Sequence, residues 1–305
     1  MIKRTICIEN ACFLKFANEQ MVVSYKHIKG LEDKEDRTVP IEDMGMLVLE
    51  HQQISLTHYL LNKLAEGNVA VVTCNDTHHP TVLLMPLESN TLQSERFRAQ
   101  IEASEPLKKQ LWQQTVKAKI TNQAAVLKRW DGKYKLLVNL ADNVKSGDAD
   151  NNEAVAAAHY WRNLFPPAWN FYRKRDGLPP NNLLNYGYAI VRAGMARAIV
   201  GAGMLPTLGI FHRNRYNAYC LADDMMEPYR PFVDRLVRDL VDKTSAIETL
   251  TPELKVALLK IPALDVLLAD EKSPLMVAMQ RTAVSLAKCY AGEQRKLLLP
   301  FMEEG

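Results

Sequence analysis

A change of texture near Leu92 constrains this chain more than any other feature of its sequence. Before it, short apolar runs alternate with turn residues. After it, apolar residues recur at helical spacing over long stretches. A chain written this way is expected to be α+β: a small N-terminal β domain over residues 1–90, with one helix, and a larger all-α C-terminal domain over 91–305. A length of 305 residues suits two domains better than one small core.

In the first part, Arg4–Glu9, Cys12–Phe16, Met21–Tyr25, Thr38–Pro40, Met46–Leu49, Asn68–Cys74 and Val82–Leu84 read as strands, and Ser55–Ala65 as a helix ending at Gly67. His78 and His79 fall in the turn before Pro80; a metal role for the pair is conceivable, but loop histidines are usually just exposed, and they read so here. In the second part, Arg96–Leu127 is helical with an interruption at Pro106, and Trp112 should face the core. Trp130–Gly132 reads as a turn and Lys133–Leu140 as helix. The polar run GDADNN should cap the helix that begins near Glu153. Four prolines make Phe165–Pro180 a loop or broken helix, and Leu183–Gly203 is a strongly apolar helix. Asn217–Asp242 should be helical with a break near Pro228 and Pro231, and further helices should fill Pro252–Leu299.

Several function classes drop out. No run of 18 apolar residues exists, and the start lacks the apolar stretch of a signal peptide, so the expectation is a cytoplasmic protein without membrane contact. The five scattered cysteines (Cys7, Cys12, Cys74, Cys220, Cys289) include no C-x-x-C pair and read as reduced. Gly201-Ala202-Gly203 ends a helix, so it is no dinucleotide fingerprint, and no phosphate-binding G-x-x-x-x-G-K-[ST] or G-x-S-x-G motif is present. The net charge of +3 is unevenly spread: 8 basic against 12 acidic residues up to position 90, and 30 against 23 beyond it. The densest basic region, Arg96–Lys135, is compatible with phosphate binding and equally with solvated helix faces.

The chemistry concentrates in LGIFHRNRYNAYCLADDMMEPYRP, from Leu208 to Pro231. One histidine, His212, precedes Asp223, Asp224 and Glu227. On a helix Asp224 and Glu227 share a face at i, i+3, and Asp223 and Glu227 can meet at i, i+4. An imidazole converging on carboxylates suits a divalent cation with N and O ligands. Upstream, Glu153 stands in the first turn of its helix, where the dipole favours a carboxylate. Each residue alone is more often a cap or a solvated charge; their combination carries the reading.

Four stretches together resemble the CRISPR-associated integrase family, the "Cas one" endonuclease of spacer acquisition. They are VPIEDMGMLVLEHQQISLTHYLLNKLAEGNVAVVTC, GDADNNEAVAAAHYW, LNYGYAIVRAGMARAIVGAGMLPTLGIFHRNR and LADDMMEPYRP. The Glu-Pro ending of the last stretch and the chain length resemble the type II branch. The resemblance implies a homodimer that joins a small companion subunit and inserts DNA spacers into a CRISPR array. It implies metal ligands at Glu153, His212 and Glu227, with Asp224 a further acidic position near the site.

Such ligands suit Mg²⁺ or Mn²⁺ and leave room for a DNA phosphate and an attacking 3′-OH, so the expected reaction is transesterification without ATP. Arg213, Arg215 and Arg230 are candidates for holding double-stranded DNA, and Tyr186 and Tyr188 for stacking on it, though tyrosines in such helices are more often core. Two other classes compete. A non-catalytic basic DNA-binding scaffold would use the same acids in ion pairs with Arg213 and Arg230. A hydrolase of small phosphoesters would show no salt-sensitive DNA binding.

Overall fold

The computed structural model describes residues 3–303 apart from 27, 131 and 245. It divides into two compact units, Met1–Thr91 and Leu92–Gly305.

The first unit contains β1 (Arg4–Ile8), β2 (Cys12–Ala17), β3 (Gln20–Ser24), β4 (Arg37–Pro40), β5 (Met44–Leu49), β6 (Ile54–Leu56), α1 (His58–Glu66), β7 (Ala70–Cys74) and β8 (Pro80–Leu84). They form two four-stranded sheets, ordered β1-β5-β7-β8 and β4-β3-β2-β6. In the first, β1, β5 and β7 run parallel and β8 is antiparallel. Parallel strands are buried on both faces, which is why every residue of β5, MGMLVL, is buried. Leu14, Met21, Met44, Leu60 and Leu64 join the core of this unit.

The helical reading of Ser55–Ala65 starts too early. Ser55 and Leu56 belong to β6, which pairs parallel with β2. The helix begins after Thr57, whose side-chain oxygen accepts the Leu60 N–H.

The second unit contains α2 (Gln93–Glu102), α3 (Glu105–Arg129), α4 (Lys135–Asp142), α5 (Asn152–Leu164), α6 (Asn181–Gly201), α7 (Cys220–Met226), α8 (Arg230–Val241), α9 (Pro252–Leu258), β9 (Asp265–Leu268), β10 (Glu271–Pro274) and α10 (Leu275–Tyr290). The expected break at Pro106 lies one turn earlier, because Ser104 caps α3 and Pro106 sits in its first turn, where a missing N–H costs nothing. Of the turn at Trp130–Gly132, Asp131 lies outside the described residues.

α3 is the central helix, packed against α4, α5, α8 and the short 3-10 turn Glu227–Tyr229. α6 is buried along most of its length. At Gly187 a Cβ would stand 2.5 Å from Val233 Cγ1, so the α6–α8 approach requires glycine there.

Where more helix is expected after Pro252, the chain instead forms the antiparallel hairpin β9–β10. Ala269 and Asp270 make its turn with φ of 51° and 63°. Such paired left-handed residues usually announce themselves as Asn-Gly, and Ala-Asp does not.

Candidate metal centre

Glu153 is placed by the turn before its helix. GDADNN winds through left-handed backbone at Gly147, Asp148 and Asn151. This turns the Asp148 carboxylate onto the first turn of α5, where it accepts the N–H groups of Asn152 at 2.9 Å and Glu153 at 3.0 Å. The cap expected of this run is therefore Asp148, three residues earlier than the formal cap Asn151.

Glu227 is placed by the break between α7 and α8, where a 3-10 turn with Pro228 interrupts the helical path. Asn122 of α3 donates to the Pro228 carbonyl at 2.8 Å and fixes that turn.

Between the two glutamates lies a residue the sequence reading did not single out. Lys119 of α3 puts its Nζ 2.6 Å from Glu153 Oε1 and 2.6 Å from Glu227 Oε2. Its side chain is only 11% exposed, so these ion pairs are poorly screened. Burial works against the charge on Lys119, but Glu227 and Glu153 outweigh it and raise its pKa. Burial likewise works against an ionised Glu227, and Arg230 and Lys119 outweigh it, so its pKa is lowered. Arg230 Nε stands 3.0 Å from Glu227 Oε1, and its guanidinium lies over the Tyr188 ring.

His212 hangs from the loop between α6 and α7, and Asp224 orients it. The fully buried Asp224 carboxylate accepts the Phe211 N–H at 2.8 Å and the His212 N–H at 3.3 Å, and meets His212 Nδ1 in a very short hydrogen bond. That partner assigns the Nδ1–H tautomer and leaves Nε2 free for a ligand. The hydrogen bond to Asp224 is the chief cause of a raised His212 pKa. Burial pushes Asp224 upward too, but the donors aimed at it favour the carboxylate beside the ring. Gly209 makes the arrangement possible: a Cβ there would collide with the His212 carbonyl oxygen and come within 2.8 Å of Asp224 Oδ2. Trp112, buried as expected, stacks on Phe211 at 4.4 Å and meets the His212 ring edge-on.

The three expected ligands are thus brought together in part. The glutamates converge on one ammonium, and both are near enough to His212 to raise its pKa. The donor atoms of all three do not close to within 4.8 Å of one another. The residues fit a cation nonetheless, since a positive group of this chain already occupies the space between the carboxylates, and the donors are the N and O types of a hard or borderline divalent ion.

Other expectations need correction. Asp223 does not meet Glu227; it holds Arg192 through two contacts of 2.6 and 3.0 Å and accepts from Asn217 at 2.7 Å. Tyr186 and Tyr188 cannot stack on DNA, because α6 turns both into the core at 0% and 7% exposure. The Tyr188 hydroxyl instead donates to buried Asp234, as does Tyr160 at 3.0 Å. Arg230 faces Glu227 and Tyr188. Arg213 and Arg215 are exposed. Arg213 pairs with Glu105 at 2.6 Å rather than with the site acids, and Arg215 covers the Tyr216 ring. With Lys108 they line a cleft of about 450 Å³ beside His212.

Lys119 was visible in principle. Trp112, Thr115, Lys119, Asn122 and Val126 follow helical spacing along the buried stripe of α3, and a lysine on such a stripe needs a carboxylate partner.

Comparison with known proteins gives the descent of the chain. The family profile described as CRISPR associated protein Cas1 matches residues 6–250. The CRISPR-associated endonuclease Cas1 of Neisseria meningitidis is 37% identical over 262 residues, covering 85% of this chain and 83% of the relative. A CRISPR-associated endonuclease Cas1 of Pyrobaculum aerophilum is 28% identical over 273 residues, covering 86% and 92%. Among solved structures, a casposase bound to integration product superposes with a TM-score of 0.77 at 18% identity, covering 96% of this chain and 92% of that one. A Cas1 protein from Thermotoga maritima gives 0.74 at 16% identity, covering 98% and 100%. The structural likenesses speak for the fold, and the sequence match speaks for descent: this chain belongs to the CRISPR-associated Cas1 family.

Proposed function

We propose that this chain is a divalent-metal-dependent DNA endonuclease and integrase that inserts DNA spacers into a CRISPR array by attack of a 3′-OH on a phosphodiester. Family membership supports the reaction class, and the relatives' name, CRISPR-associated endonuclease, supports the substrate. The likeness to the Neisseria protein is consistent with the type II branch. The observation that carries the site is the convergence of Glu153 and Glu227 on one positive charge beside an imidazole oriented by Asp224.

Glu153, Glu227 and His212 Nε2 are the groups that would hold Mg²⁺ or Mn²⁺. Such an ion supplies Lewis-acid polarisation of a phosphate and activation of the attacking hydroxyl. Asp224 keeps the ring in the tautomer that offers Nε2, and Asp148 holds the helix start that aims Glu153. Lys119 keeps the two carboxylates together before DNA and ion arrive. Arg213, Arg215 and Lys108 line the neighbouring cleft, where a phosphate backbone finds positive charge. Cys220, the thiol nearest in sequence, is buried and donates to the carbonyls of Asn214 and Asn217, so the attacking group comes from the DNA. Titles of similar structures name a Cas6-RT-Cas1–Cas2 complex and a Cas1–DNA complex. On that likeness we assign this chain a small companion subunit and DNA as partners; that the DNA is double-stranded and that the chain acts as a homodimer follow from the family resemblance.

The test mixes a DNA fragment bearing free 3′-OH ends with CRISPR-repeat DNA, the companion subunit and Mn²⁺ or Mg²⁺. Covalent joining is expected, with none from a 3′-blocked fragment and none after chelation. The Glu227–Arg230 and Lys119 ion pairs also suit a non-catalytic scaffold. DNA binding without any metal-dependent product would favour that second reading and overturn the first.

A further inference from the structure

The β unit holds a second cluster of ligand-type side chains that the reaction above does not use. In its parallel sheet Cys7 is in register with Val48. Side chains alternate between faces, so Cys7, Val48 and, two residues on, Glu9 and Glu50 share one face. The Glu50 N–H donates to the Ile8 carbonyl at 3.0 Å and carries the ladder just past the strands. These residues therefore sit at the carboxyl ends of β1 and β5, the end of a parallel sheet where ligands gather. The donor atoms of Cys7, Glu9 and Glu50 all lie within 4.8 Å of one another. His78 arrives from the β7–β8 turn, held by Asn75, whose side chain accepts the His79 N–H at 2.8 Å. Its Nδ1 stands 3.0 Å from Glu50 Oε1.

We propose that Cys7, Glu9, Glu50 and His78 form a binding site for a thiophilic divalent cation of the Zn²⁺ class, which ties the β7–β8 turn to β1 and β5. One thiolate, one imidazole and carboxylate oxygen are the donor types zinc takes in fourfold coordination, with bonds of about 2.0–2.3 Å that set donors about 3.3–3.7 Å apart. Two pairs already have such spacing or closer: Cys7 Sγ to Glu50 Oε2 at 3.6 Å, and His78 to Glu50. Cys7, Glu9 and Glu50 are already gathered, so the remaining closure is a swing of the exposed His78 ring from Glu50 towards them, with Glu9, also exposed, opening a path for entry. Binding transfers the Cys7 thiol proton to solvent, forms the sulfur–metal bond and involves no oxidant. Sulfur and imidazole together disfavour Mg²⁺, so this site and the oxygen-rich pair Glu153 and Glu227 select different ions.

The metal-free full-length chain titrated with Co²⁺ should develop a thiolate-to-metal charge-transfer absorption with a stoichiometry of one, which Zn²⁺ then displaces. Glu153, His212 and Glu227 include no thiol and give no such band. Cys7→Ser should lose the band. His78→Ala, a change in an exposed turn that leaves the sheet intact, should weaken Zn²⁺ binding by about 100-fold. A wild-type chain without the band, a band that survives Cys7→Ser, or an unchanged Zn²⁺ affinity in His78→Ala each overturns the site.

Discussion

Glu153 and Glu227 close on a lysine of their own chain, whereas Glu50 closes on a thiol and an imidazole. Each cluster holds at least one buried carboxylate, Glu227 in the helical unit and Glu50 in the β unit, which is unfavourable unless a compensating partner is supplied. In the helical unit the ammonium of Lys119 is that partner at any neutral pH, so the cradle keeps its shape without an ion. An incoming ion must then displace Lys119 or share the carboxylates with it. In the β unit the partners are a proton-bearing thiol and an imidazole, so a metal would bind by displacing the thiol proton. The first arrangement suits a site that loads a weakly held ion together with DNA. The second suits an ion that stays.

Lys119→Met strikes the comparison hardest. In chelator it should cost about 3–5 kcal/mol, the scale of a broken buried ion pair. Mn²⁺ should restore much of that loss by taking the vacated position. Denaturant melts with and without Mn²⁺ check this, and equal losses in both would mean that the ion binds elsewhere.

Glu227→Ala should lower strand joining by about 100–1000-fold, the scale of removing one electrostatic stabiliser, while leaving DNA binding intact. Joining at the wild-type rate, read on a gel, would reduce Glu227 to a structural partner of Lys119 and Arg230. Asp224→Asn should cost less, about 10–100-fold, because it disturbs the ring proposed to offer a ligand atom and removes no proposed ligand itself.

A buried carboxylate outside both clusters sharpens the point, because its direct partners are two tyrosine hydroxyls and Arg173 and Arg230 act on it only as nearby charges. Burial raises the Asp234 pKa from 3.8 to about 7, against the pull of Tyr188 and Tyr160. The folded state thus holds a proton that the unfolded chain gives up above pH 3.8. This stabilisation is complete below that pH and is lost as pH rises towards 7. Asp234→Asn should flatten the slope of melting temperature across this window by about 2–4 °C per pH unit, measured by calorimetry. An unchanged slope would show that the pH dependence arises elsewhere.

The smallest effect is expected at His78. Without zinc, His78→Ala should change stability by less than about 0.5 kcal/mol, as for an exposed turn residue. A larger loss in chelator would mean that the His78–Glu50 contact is structural by itself.

By itself the sequence determined the two-part architecture, because hydrophobic periodicity is local and switches near Leu92. It also determined most strand and helix positions and the capping role of GDADNN, since turn and cap chemistry is written over a few neighbouring residues. The three candidate ligands were legible as residue types, and the family match gave their positions. Only the tertiary structure decided what stands between them. Lys119 is 34 positions from Glu153 and counted in the sequence as one more charge of a basic region, yet packing of α3 against α5 and the Glu227 turn puts its ammonium on both carboxylates. The same holds for His78, which stands 28 positions from Glu50 and meets it only because strand order sets β7 beside β5. Tyr186 and Tyr188 fall into the core because α6 is buried on nearly every face, so helical spacing alone could not say which side met solvent. Electrostatic partnership acts through space over a few ångströms, and separation along the chain does not encode it.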